Sequence, residues 1–210
     1  MQAVAATQEL AAPRKSKARR SNEAKIVTAA IACFRDAGIT KTTMEDIAAA
    51  AGVGRQTVYR TFPTRGDLLD AVALERLLAM REEMKAKVSA YPTLESAMVD
   101  GTIDVRSVAR RDDIFMAVAA VGDRGLERYL LAPSPVIREV MKTIWEDVFA
   151  RSRERGELRT DLTDLEIADW FRFINFTLLV REDLDREEQR KLLRTFVLPA
   201  LVPGVHTAPA

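Results

Sequence analysis

The chain has 210 residues, 48% hydrophobic and 30% charged, the make-up of a folded globular protein rather than a disordered one. Eight prolines and nine glycines are too few for collagen-like or low-complexity sequence. One cysteine and one histidine exclude a disulfide framework, a CxxC-type metal site and histidine-based catalysis, so neither a metal nor a cofactor is expected. The net charge of +1 conceals an asymmetry: residues 1–70 hold 11 Lys/Arg against 7 Asp/Glu, and the remainder 21 against 24. An anionic partner would therefore meet the N-terminal third.

Residues 1–20 are Ala-rich and then basic, with Arg14, Lys15, Lys17, Arg19 and Arg20 inside seven positions and no apolar periodicity. That composition predicts a disordered arm, either a solvated tail or one that touches phosphate or a minor groove. From Ser21 the pattern turns helical. Ile26, Ala30, Cys33, Phe34 and Ala37 form one stripe, with Gly38 at its C-terminal end, and the stripe places Cys33 in a core rather than at a reactive site. Thr42–Glu45 has the Thr-x-x-Glu form of a capping box, and Met44, Ile47, Ala48 and Ala51 line the short helix it would open. After Gly52, Val53 and Gly54, helical character resumes over 55–62, and Thr64 can cap a helix striped by Leu69, Ala73, Leu77, Met80, Met84 and Val88.

Further helices are expected over 93–111, 113–121, 135–156, 163–180 and 185–198, opened by Ser134–Pro135 and by the capping box Thr163–Glu166 in two cases. No stretch alternates with period two and no repeat is visible, so the fold class is all-α. The longest uncharged run, 195–210, is broken by Pro199, Pro203 and Pro209, so no membrane span is expected. The first residues lack a basic start followed by an apolar stretch, and the expected location is the cytoplasm.

Two short helices across a Gly-containing turn, 43–62, have the form of a helix-turn-helix. A major groove admits one helix, and the second here suits it: Val58 and Phe62 can face inward while Arg55, Gln56, Thr57, Tyr59 and Arg60 stay outside. Arginine pairs with guanine, glutamine with adenine, and hydroxyls donate to phosphate. An ordinary helical hairpin with a polar outer face would fit the same residues.

The stretch resembles the DNA-binding segment of the tetracycline-repressor (TetR) family. The resemblance rests on Ile26, Ala30, Phe34, Gly38, Thr42–Thr43, Ile47–Ala48, Ala51–Gly52–Val53, Thr57–Val58–Tyr59, Phe62 and Leu68–Leu69, about a quarter of the chain. It implies an N-terminal three-helix helix-turn-helix domain and a C-terminal helical domain for ligand binding and dimerisation. The expected boundaries are an arm at 1–20, the DNA-binding domain at 21–68, the larger domain at 69–202 and a tail at 203–210. The family pattern sets Thr43, Tyr59 and Arg65 against the DNA backbone, with Arg19 and Arg20 of the arm nearby. Gly54 stands where a capping Ser is common, and Gly66 replaces a usual acidic residue.

In the helix over 163–180, Ile167, Phe171, Ile174 and Leu178 form one stripe and Trp170, Phe173 and Thr177 a second, so it asks for two partners. Periodicity does not decide which stripe faces outward. A homodimer interface is assigned to Phe171, Ile174 and Leu178 with Leu193 and Phe196 of the last helix, the pair of helices through which the resemblance implies dimerisation. Met80, Met84, Phe115, Met116, Trp145 and Phe149 recur at inward-facing spacing, either as core or as the lining of an apolar pocket. The resemblance favours the pocket, with a small, largely apolar effector and Tyr129 or Asn175 as polar handles.

The reading is a transcriptional regulator, a repressor by the family pattern, released from a palindromic double-stranded operator by its effector. A helical ligand- or partner-binding module without operator-specific DNA binding is the alternative. An enzyme is disfavoured, because no phosphate-cradling loop or nucleophile–base arrangement occurs.

Overall fold

The computed structural model describes residues 17–120, 135–181 and 183–204, and among these every regular element is helical. The helices are α1 (Lys17–Ala37), α2 (Met44–Ala50), α3 (Arg55–Thr61) and α4 (Arg65–Ser89). Then come α5 (94–110), α6 (Asp113–Ala120), α7 (Pro135–Glu154), α8 (Asp164–Val180) and α9 (186–200). Among the described residues no helix is long and apolar enough to cross a membrane. The expected caps at Thr64, paired with Asp67, and at Thr163, paired with Glu166, are present, and Asp185 pairs with Glu188 in the same way. Ser134 and His206 lie outside the described residues, as do 1–16 of the expected arm.

Three local features differ from the periodic reading. α1 begins at Lys17 rather than Ser21, so Arg19 and Arg20 stand on its first turns instead of on an arm. α5 carries a π-helical turn at Ala97–Gly101, where a Cβ on Gly101 would approach the Tyr91 ring to 3.2 Å. Glycine lets that ring seat directly on the backbone, and the extra residue of the π turn accommodates it. α9 likewise passes through a π turn, Leu193–Val197, and ends in a 3-10 turn beyond the proline expected to stop it.

The chain divides into two compact units, Met1–Leu78 with Asp112–Val136 and Ala79–Arg111 with Ile137–Ala210. The division differs from one placed at residue 68, because the first half of α4 and all of α6 join the N-terminal core. That core buries Ile26, Ala30 and Phe34 of α1, Ile47 of α2, Val58 of α3 and Phe62. Val72 and Ala73 of α4 and Ile114 and Val118 of α6 complete it. Cys33 is half-buried at its margin and Ala37, at the end of the expected stripe, is exposed. Asp112 secures α6 within this unit: it accepts from Arg76 Nε at 2.9 Å and caps the helix through the Phe115 N–H at 2.8 Å.

The second unit is built around large side chains. Trp145 of α7 is buried, stacked near Phe149 at 6.4 Å and edge-on to Phe171 of α8 at 5.0 Å between ring centroids. Arg106 of α5 is buried with them, donating to Gln189 of α9 and to the carbonyl of Leu178 near the end of α8. Arg110 adds bonds to the carbonyls of Leu179 and Arg181, so two cations satisfy the C-terminal end of α8, where the helix dipole is negative. Burial, with the neighbouring Arg110 charge, pushes the Arg106 guanidinium down to about 10.

Candidate nucleic-acid interface

The helix-turn-helix is set by its turn. Gly52 has φ +64, in the left-handed region, and the N–H groups of Gly52 and Val53 return to the carbonyls of Ala49 and Ala48, each at 3.1 Å. This is the closed end that a positive-φ residue gives a helix, and it turns the chain into α3 within three residues. Gly54 then opens α3 with no side-chain cap, in agreement with the missing Ser noted in the sequence.

The cap of α2 is displaced by one residue from the expected one. Thr43, not Thr42, is the N-cap, and its partner is Asp46 rather than Glu45. The physical reason lies in Thr42, which is buried and donates its hydroxyl to the carbonyl of Gly38 at 2.8 Å. Hydrogen bonds from the Thr43 hydroxyl and amide hold the Asp46 carboxyl below its ordinary value. The displacement leaves Glu45 free of capping, and its carboxylate meets Arg55 Nε at 2.7 Å.

On α3 the division of faces follows the sequence. Val58 and the following Phe62 are buried, while Arg55, Gln56, Tyr59 and Arg60 are exposed and Thr57 is half-buried. The Arg55 guanidinium lies over the Tyr59 ring, 5.4 Å from its centroid. Arg19, Arg20 and Thr43 are also exposed. The face therefore presents a fork of donors, an amide with both donor and acceptor, and hydroxyls, the groups that read base edges and bond phosphate.

Arg65, expected against phosphate, makes its resolved contacts within the chain. It is half-buried and turned inward: Nη1 donates to the carbonyl of Thr42 at 2.7 Å, Nη2 to that of Ile39, and the guanidinium lies 5.9 Å from the Phe34 centroid. Its terminal nitrogens are thus committed to the α1–α2 turn, which carried no sequence signal beyond the presence of a cation.

In the second unit the side chains expected at a partner surface differ in exposure, with Phe196 exposed. Phe171, Leu178 and Leu193 are buried among this chain's own side chains and Ile174 is half-buried. Among the described residues, the large apolar side chains left exposed in this unit are Trp170 (38% exposed), Phe173 (42%) and Phe196 (72%). The expected pocket residues are divided between the two units. Phe115 and Met116 belong to the first unit, Met80, Met84, Trp145 and Phe149 to the second, and Tyr129 lies outside the described residues. Among the described residues, the buried Trp145 Nε1 and Asn175 Oδ1 have no hydrogen-bond partner.

Residues 26–72 match the family model described as bacterial regulatory proteins, tetR family. The chain is 29% identical to an HTH-type transcriptional regulator of Mycobacterium bovis over 103 residues, 49% of this chain and 52% of that protein. It thus spans about half the length of the curated relatives it matches. Among solved structures it is similar to the transcriptional repressor QsdR of R. erythropolis, from the TetR family, with a TM-score of 0.61 at 18% identity. That match covers 90% of this chain and 97% of the other. It is also similar to Thermus thermophilus FadR, a TetR-family transcriptional repressor solved with lauroyl-CoA, with a TM-score of 0.59 at 21% identity, covering 90% and 99%. At such identities the likeness carries the fold.

Proposed function

We propose that this chain, whose residues 26–72 match the model of bacterial regulatory proteins of the tetR family, is a sequence-specific, ligand-released repressor acting as a homodimer on a palindromic operator. The observation that carries the reading is the outward face of α3. Arg55, Gln56, Tyr59 and Arg60 stand exposed on a helix whose other side is fixed by Val58 and Phe62. Two such helices on a twofold axis would read half-sites about one helical turn, ~34–36 Å, or a multiple of it apart. Support for the dimer comes from Trp170, Phe173 and Phe196, large apolar groups that a lone chain would leave in water.

For the effector, we take a small, largely apolar molecule bound in the second unit. The unpartnered Trp145 N–H and Asn175 carbonyl support this, since a buried donor and acceptor without partners cost stability unless something supplies the bonds. FadR, of like fold, was solved with lauroyl-CoA. Release follows from the ligand's differential affinity for the two DNA-binding arrangements of the dimer.

The test is binding of the full chain to the duplex upstream of its own coding region, against a shuffled duplex of equal composition. Selective retention of the first, and its loss on adding an apolar compound that raises the melting temperature, is the expected result. Equal binding to both duplexes would favour the helical module without operator specificity.

A further inference from the structure

We propose that Glu45 is a positioning residue for base readout, holding the Arg55 guanidinium so that its outer fork faces a guanine; the proposal rests on the operator-binding reading above. Three observations carry it. First, Glu45 is released from capping because Thr43 and Asp46 form the box instead, so its carboxylate has no backbone duty in α2. Second, its carboxylate meets Arg55 at Nε, 2.7 Å away. A guanidinium gripped at Nε keeps both terminal nitrogens for an end-on, bidentate approach to guanine O6 and N7. Third, the Tyr59 ring one turn along α3 lies under the same guanidinium at 5.4 Å, which fixes the plane of the fork as Glu45 fixes its direction.

Electrostatics argues for a purpose. A carboxylate on the face that meets a polyanion opposes binding, and every exposed cation nearby gains from release of counterions. Glu45 opposes that gain, yet it sits against a side chain that is itself 68% exposed, where an ion pair contributes little to folding. The pair makes sense once Arg55 is desolvated in a groove. There an arginine with a fixed direction loses less rotamer freedom on binding and discriminates better than a free one.

The experiment selects preferred duplexes from a random library with the full chain and its variants Glu45→Ala, Glu45→Gln, Arg55→Ala and Glu45→Ala/Arg55→Ala. Thermal unfolding checks that each is folded. Arg55→Ala should lower discrimination at one G·C pair about ten-fold. Glu45→Ala should lower it at the same pair about three-fold, and the double variant should be no worse than Arg55→Ala. Glu45→Gln keeps an acceptor oxygen for Nε and should restore most of the loss. Full discrimination by Glu45→Ala overturns the proposal, as does a uniform rise in affinity for all sequences with the profile intact, or losses that simply add in the double variant. A native chain with no sequence preference overturns the operator reading and this proposal together. A native preference at that pair that is undiminished in Glu45→Ala overturns this proposal alone.

Discussion

The two units handle buried polarity in opposite ways. In the N-terminal unit Thr42 is the one polar side chain among the described residues that is buried, and arginines and carboxylates stay at or near the surface. The second unit buries Thr102, Arg106, Ser152, Arg172, Asn175 and Gln189 beside its aromatic core. An apolar core under a polar skin leaves side chains free to meet a partner, as on α3. A core threaded with polar groups is specific about its own arrangement and costly to disturb. The contrast teaches that the first unit turns its polar side chains outward, whereas the second engages several of them within its own core.

The largest effect that would sharpen this contrast is Trp145→Ala. Removing a buried indole that contacts Phe149 and Phe171 should cost about 3–5 kcal/mol in a urea titration. Duplex binding below the melting temperature should persist. A cost under about 1 kcal/mol would mean that the aromatic cluster is not where this unit is held.

Within the first unit, Asp112 is the polar group whose loss should matter most. Burial would raise its carboxyl, but the Arg76 guanidinium and the Phe115 N–H outweigh this and hold it below the usual value. A depressed folded pKa gives stability that is complete above the unfolded value, near ~3.9, and is lost as pH falls through the folded one. Asp112→Asn should therefore cost about 2 kcal/mol at neutral pH. The gap from the native chain should close in acid, as read by chemical denaturation from pH 7 to 2. A gap independent of pH would show that the charge is not what secures α6.

A smaller cost is expected for Arg65→Ala, about 1–2 kcal/mol from two lost carbonyl bonds and the contact with Phe34. Melting should report this in the absence of DNA. If stability were unchanged and only duplex affinity fell, Arg65 would be a phosphate contact after all.

The helices were legible because burial on one side imposes a 3.6-residue rhythm, seen without a break from Leu69 to Val88 of α4. The readable part of the candidate site was α3, where Val58 and Phe62 settle which residues are left outside. The cap was misplaced because Thr42 and Thr43 are each followed three residues later by an acid, and periodicity does not distinguish neighbours. Only the core contact that draws Thr42 inward breaks the tie. The outward stripe of α8 was unreadable for a related reason: both stripes are apolar, and the choice depends on which neighbours pack against it. The π turns in α5 and α9 are invisible to a rule that assumes regular helix, and nothing in the spacing of Arg106 and Arg110 says that the first is buried.

The central claim, that the outer face of α3 reads base pairs, is tested most directly by the preference profile of Gln56→Ala over a random duplex library. Gln56 is exposed on α3, so its loss should leave folding and general affinity alone. The profile should flatten at one or two base pairs by about 1–3 kcal/mol and remain unchanged elsewhere. An unaltered profile, or a uniform loss at every position, would contradict the claim.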